Sequence, residues 1–305
     1  MRNRFLTDKT ESAGIITPND LAILQVLNRY PYLPSSYIVA FLGPHAEYHR
    51  KRLTVLRHNL KVIYPPKQSW AAANARYRPA VYALTDKGKQ ELKKRGLYVE
   101  REHGLTNFGH DLMASLIMAS IEIGSKDSGI KLFDWLRLKQ FAEGDYRVEV
   151  TFEHQGKPHT RTVDPDWSPF ALKGQKTFYF FGIEADRNNE PIERELMEQS
   201  SVMRKFRACR QIAADKKWKK LGFENCFFLF ATVNERHEER MRQAVLKMTN
   251  GKGARDFLFT TLPDFTSMEN FPKATGWALK PWRRAGFADF DLLGELNGPT
   301  ETRQN

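Results

Sequence analysis

Four acidic side chains crowd a short stretch of a basic chain: Asp164 and Asp166 in VDPDW, then Glu184 and Asp186 in GIEAD. The apolar FAL, the turn KGQK and the aromatic run TFYFFGI between them predict a tight β-hairpin. Side chains alternate along a strand, so Glu184 and Asp186 share one face and Ile183 and Ala185 take the other. The hairpin turn is expected to fold Asp166 back beside that acidic pair. Carboxylates held this close repel and raise one another's pKa unless a cation offsets them. Mg²⁺ or Mn²⁺ suits all-oxygen donors and leaves positions for water and phosphate oxygens. Such an ion lowers the pKa of a bound water and neutralises charge on a phosphate, the chemistry of phosphodiester cleavage. Singly, Asp-Pro-Asp is a common turn and Glu-Ala-Asp a common strand end. Their conjunction on one hairpin is what points to a site, with Asp164 as a turn residue.

A lysine completes such a site by polarising the phosphate or orienting the nucleophile. On the helix expected from about 200 to 219, Val202, Phe206 and Cys209 form an inward stripe, and Lys205 lies beside it. The elements that must hold these groups follow in order. An apolar helix GHDLMASLIMASIEIG precedes strands in IKLFDWLRL, RVEVTFEH and HTRTV, and then the acidic hairpin. After the Lys205 helix come the strand NCFFLFATV, the helix ERHEERMRQAVLKM and the strand DFLFTTL. The segment FPKATGWALKPWRRAGF either braces the core or contacts a nucleic-acid backbone, and residues after about 290 are expected to fray.

Charge is concentrated elsewhere. Residues 1–100 hold 17 basic and 7 acidic side chains, which is +10 of the net +12. A field of this kind suits a polyanion. Thr17-Pro18 predicts a capped helix to about 30, SSYIVAFLG a second helix ending at Gly43, and HAEYHRKRLTVLRHNL a third. In the third, Leu53, Leu56 and Leu60 face inward, leaving Glu47, Arg50, Lys51, Thr54 and Arg57 outside. His45 and His49 are spaced as a helical pair without an obvious third ligand, so they are expected as surface histidines. A strand KVIY, a polar loop with Lys67, Arg76 and Arg78, a returning strand RPAVYALT and a helix capped by Thr85 complete the order of a winged helix-turn-helix. Its third helix and loop would meet DNA through Arg50, Lys51, Thr54, Arg57, Lys67, Arg76 and Arg78.

The 305 residues are 41% hydrophobic and 12% aromatic, a globular composition with room for two cores. No apolar stretch reaches the length of a membrane span and no signal-peptide core opens the chain, so a cytoplasmic protein is expected. Cys209 and Cys226, without a CxxC pair, are expected as buried thiols rather than a disulfide framework or zinc site. Trp70, Trp277 and Trp282 are expected to pack rather than to stack bases.

At its acidic hairpin the sequence resembles the restriction-endonuclease-like PD-(D/E)XK nucleases. Pro165-Asp166 matches the PD, and Glu184-Ala185-Asp186 occupies the (D/E)XK position with Asp186 where the usual lysine stands. A lysine moved to the next helix, as Lys205 would be, is a known variation of that superfamily. Joined to the winged helix, the chain over 17–262 resembles the replication-relaxation family and the related MOB-C class of plasmid relaxases. The resemblance rests also on Lys51-Arg52-Leu53-Thr54-Val55-Leu56, Tyr82-Ala83-Leu84-Thr85-Asp86-Lys87-Gly88 and Gly109-His110-Asp111-Leu112. It implies an α/β (α+β) protein: a flexible start (1–16), a winged helix-turn-helix (17–103), a restriction-endonuclease-like αβββαβ domain (104–270) and a C-terminal extension (271–305). The implied activity is a site-specific nickase of plasmid or other mobile DNA, with Mg²⁺ or Mn²⁺ on Asp166, Glu184 and Asp186 and with Lys205 assisting. The other reading is a DNA-binding accessory factor whose nuclease-like domain is inactive. Expected partners are double-stranded DNA, single-stranded DNA after nicking, and a second copy or other mobilisation proteins. Histidine-cluster relaxases need an HxH motif, which this chain lacks.

Overall fold

Thr17 starts the first helix as expected: its hydroxyl accepts from Asp20 N at 3.3 Å, and Asp20 Oδ2 accepts from Thr17 N at 2.8 Å. With Pro18 at the first helical position, both ends of this capping box are satisfied. The computed structural model describes residues 14–71, 77–101, 104–105, 107–154, 156–174, 178–188, 191–192, 201–263, 265 and 270–297. The expected flexible start thus lies almost wholly outside the described residues, as do Arg76 and part of the KGQK turn. The chain is a mixed α/β protein.

Its elements are α1 (Pro18–Arg29), β1 (Leu33–Pro34), α2 (Ser35–Leu42), α3 (Ala46–His58), β2 (Ile63–Tyr64), β3 (Val81–Leu84), α4 (Asp86–Lys93) and α5 (Phe108–Asp127). There follow β4 (Lys131–Phe133), α6 (Trp135–Leu138), β5 (Val148–His154), β6 (Lys157–Val163), β7 (Trp167–Lys173), β8 (Phe178–Asp186) and α7 (Val202–Asp215). β9 (Phe227–Thr232), α8 (Glu235–Met248), β10 (Phe257–Thr261) and α9 (Leu292–Asn297) complete the order. No helix among the described residues is long and apolar enough to cross a membrane.

The chain forms two compact units, Met1–Ile123 with Pro263–Trp277, and Gly124–Leu262 with Ala278–Asn305. The sequence reading put a domain boundary near 103, whereas most of α5 belongs to the first unit. Tyr30 OH donates to Glu122 at 2.6 Å, and Ser120 Oγ donates to the Thr275 carbonyl at 2.7 Å. In that unit β2 and β1 flank β3, both antiparallel. β1 escapes sequence reading because it is two residues long and ends in Pro34, a residue confined to sheet edges. Arg52 clamps α3 to α1 by donating Nε and Nη2 to the buried Asp20 carboxylate, at 2.8 and 2.5 Å.

In the second unit a five-stranded sheet runs β10-β9-β8-β7-β4. β4, β7 and β8 are antiparallel neighbours, and β8, β9 and β10 are parallel. β9, FFLFAT, is buried throughout, as a central parallel strand must be. β5 and β6 pair apart as a two-stranded sheet. Their Val150, Phe152 and Val163 pack with Val202, Phe206 and Cys209 of α7 in one core. The expected strand through IKLFDWLRL stops at Phe133, because the Asp134 side chain accepts from Arg137 N and caps α6. The C-terminal segment braces the cores: Trp277 Nε1 donates to Tyr37 OH in the first unit, and Trp282, fully buried in the second, lies edge-on to Phe181. Residues after 290 are not frayed up to 297, since Leu292 and Leu296 are buried in α9. Cys209 is buried, Cys226 only partly, and neither forms a disulfide.

Candidate functional site

The turn into β7 seats Asp166 against β8. Asp166 N donates to the Ile183 carbonyl at 2.9 Å, and Asp166 Oδ2 accepts from Ala185 N at 2.7 Å. These two bonds bracket Glu184. The turn packs over Gly182, where a Cβ would sit in ordinary contact with the Pro165 ring. A register shift in β7 between Trp167 and Phe170 spans Pro169, which has no N–H to give to the ladder. Asp164 lies outside this arrangement, 3.2 Å from Arg147 Nε.

Glu184 is 7% exposed and accepts from Lys205 Nζ at 3.1 Å. Burial pushes its carboxyl up to about 7; the Lys205 charge opposes that rise and the Asp166 charge adds to it. Lys205 reaches it from the first turns of α7, which Ser201 caps by accepting from Arg204 N. The hairpin and the following helix therefore bring together Asp166, Glu184 and Lys205, as the spacing predicted.

Asp186 is in different company. It shares the Glu184 face and is 8% exposed, but its Oδ2 lies 2.8 Å from Nε2 of His237, and its Oδ1 accepts from Asn188 N at 2.8 Å. His237 is buried in the first turn of α8, where Asn234 caps its backbone N–H, and its Nδ1 has no hydrogen-bond partner among the described residues. Among the described residues no group of three or more His, Cys, Asp or Glu side chains stands together as a metal cage. Sequence reasoning missed His237 because only the β8–β9 pairing places the start of α8 beside the end of β8.

Arg161 was missed as well. It pairs with Val150 across the β5–β6 ladder and lies two residues from Val163, so it shares the face that these valines turn to α7. From there its charge acts on Glu184 and on Cys209, one turn beyond Lys205.

The expected DNA-binding residues divide. Arg50, Lys51 and Thr54 are exposed on α3, and Lys67 is exposed in the loop after β2. Glu47 lies 4.0 Å from Arg50 and 3.8 Å from Lys51, contacts too long and too wet to hold either side chain. Arg57 and Arg78 are buried, contrary to expectation. Arg57 is four residues from Leu53 and next to Leu56, so helical spacing carries it to the edge of the inner stripe. His49, four residues before Leu53, is buried for the same reason, while His45 is exposed. Arg78 Nη2 donates to the Ser69 carbonyl at 2.7 Å, and its guanidinium lies 4.7 Å from the Phe271 ring.

No curated protein and no solved structure matches the chain. A family model described as replication-relaxation matches residues 24–224. That span runs from α1 past α7, so it contains Asp166, Glu184, Asp186 and Lys205 and stops before His237. The family points to a role in the replication or mobilisation of plasmid or other mobile DNA. With about two thirds of its length matched, the chain belongs to the replication-relaxation family.

Proposed function

We propose that the protein is a site-specific, metal-dependent DNA nickase that starts mobilisation or replication of a mobile element. The first unit acts as a winged helix, holding duplex DNA through Arg50, Lys51 and Thr54 of α3 and through Lys67. The second acts as a restriction-endonuclease-like nuclease. The observation that carries the reading is Asp166 fastened beside a buried Glu184 that meets a lysine from the next helix.

These residues fit a hard divalent ion. Asp166 and Glu184 are oxygen donors, and the ionised form of Glu184 is disfavoured by burial and by its neighbour, a cost that a cation relieves. Asp186 fits less well, because His237 engages it. Mg²⁺ or Mn²⁺, when bound, would activate a water and neutralise charge on the phosphate. Lys205 holds the Glu184 carboxylate in place and offers a donor at the reacting phosphate. Arg161 supplies a second positive charge toward the same phosphate.

A second reading is favoured by the same ion pair. Lys205 already neutralises Glu184, and Asp186 is closed by His237, so the domain could serve as an inactive platform in a DNA-binding accessory factor. Supercoiled plasmid carrying the protein's own element separates the two when incubated with Mn²⁺, Mg²⁺ or EDTA. Metal-dependent conversion to open circle by the wild type, absent with Glu184→Ala, is the result expected of the nickase. Binding without conversion under either metal selects the accessory factor.

A further inference from the structure

The second unit contains another concave site, about 420 Å³ in volume, which the proposed chemistry does not use. Its floor is aromatic: Phe227 and Phe290 lie 5.1 Å apart, and Tyr179 stands edge-on to both at 5.4 and 5.5 Å. Its rim carries Arg255, Arg284, Phe287 and Glu295.

The two arginines come from loops packed backbone against backbone. Gly253 (φ +71°) and Gly286 (φ +79°) lie at this contact, and a Cβ on Gly253 would collide with the Ala285 carbonyl. Ala254 N donates to that same carbonyl at 3.3 Å. Arg284 is already oriented: its Nε donates to the Ala288 carbonyl at 2.6 Å, and its guanidinium lies 5.7 Å from Phe287 and 5.5 Å from Phe290. Neither Arg255 nor Arg284 forms an ion pair among the described residues; both act electrostatically on Asp256, whose carboxyl is itself pushed up by burial.

We propose that this pocket binds one nucleotide unit, with the phosphate on Arg255 and Arg284 and the base on Phe287. Guanidinium forks match phosphate oxygens, and Phe287, 43% exposed, offers a ring face to any base. Glu295, which accepts from the Tyr179 hydroxyl at 3.2 Å, adds an acceptor for an exocyclic amino group. A cavity of this volume suits a nucleotide-sized ligand. The pocket is separate from the carboxylates. Tyr179 and Glu184 are five residues apart on β8, roughly 17 Å along the strand and, by parity, on opposite faces. The inference therefore stands or falls without the nickase reading.

Calorimetric titration of the full chain tests it with three probes: deoxyadenosine 5′-monophosphate, deoxyadenosine, and the 5′-phosphorylated trideoxyadenylate. The monophosphate is expected to bind about ten-fold more tightly than the nucleoside. Arg255→Ala, a substitution at an exposed side chain, is expected to erase that difference, and Phe287→Ala to weaken both ligands. Lys220→Ala, at an exposed side chain of the second unit outside the pocket, is expected to change neither. A trinucleotide that binds more tightly than the monophosphate assigns the pocket to a DNA strand, and equal affinities assign it to a free nucleotide. Absence of monophosphate binding by the wild type overturns the proposal. So does binding indifferent to both pocket substitutions, or a preference for O-phosphotyrosine over the nucleotide.

Discussion

Glu184 and Asp186 stand two residues apart on one face of β8 and are almost equally buried, yet each is met by a different kind of partner. A lysine from α7 reaches Glu184, and a histidine from α8 reaches Asp186. The ammonium is a fixed charge on a flexible stem, whereas the imidazole is a rigid ring with two distinct nitrogens. Strand alternation decides which side a carboxylate takes. The helix packed over that side decides its chemistry.

The strongest way to break the contrast is to remove the lysine. Lys205→Ala leaves a buried carboxylate without its cation and is expected to cost ~3 kcal/mol in urea unfolding at about pH 9, above the titration of Glu184. A loss below ~1 kcal/mol would show that Lys205 and Glu184 are not energetically coupled. Activity sharpens the same point. Glu184→Gln should reduce nicking at least about a hundred-fold, and Asp186→Asn less than about ten-fold, as measured by plasmid relaxation with Mn²⁺. Equal losses would place Asp186 with Glu184 in the proposed metal site.

Acidity offers a third test. The folded value for Glu184, about 7, lies above its ordinary 4.5, so the fold favours the protonated form. The stability this contributes is complete below 4.5 and is lost as pH rises through about 7. Unfolding of the wild type and of Glu184→Gln, followed from pH 4 to 8, should diverge across that window. Parallel curves would place the titration elsewhere. The smallest effect belongs to the basic helix. Arg50→Ala should reduce the salt slope of duplex binding by about one and leave stability unchanged. Arg57→Ala, at a buried side chain, should lower stability, and a salt-slope change without destabilisation would put Arg57 on the DNA.

Much of this was legible locally. Thr17 and Thr85 act as caps, Gly43 ends α2 with φ 93°, and the return of Asp166 onto β8 follows from the hairpin. Lys205 follows from helical spacing against Val202, Phe206 and Cys209. What local pattern cannot carry is which strand lies next to which. His237 meets Asp186 only because β8 and β9 run parallel, side by side. Arg57 and Arg78 look solvated by residue type, and their burial is decided by the helix edge in one case and by Ser69 and Phe271 in the other. α6 and β1 are too short to show a period at all.

The clasp between Tyr37 and the 273–277 segment bears on how the chain is made. Trp277 Nε1 donates to the Tyr37 hydroxyl at 2.8 Å, and that hydroxyl donates to the Lys273 carbonyl at 3.2 Å, across 240 and 236 residues. A nascent chain builds α1 to α4 early, but it cannot close this contact until nearly all of the second unit has left the ribosome. Loop closure over such a span makes assembly of the first unit late and slow, whatever the speed of its individual helices. A fragment cut after α4 would therefore leave the site of this clasp open, and the first unit is complete not when its helices are made but only once the chain has passed Trp277.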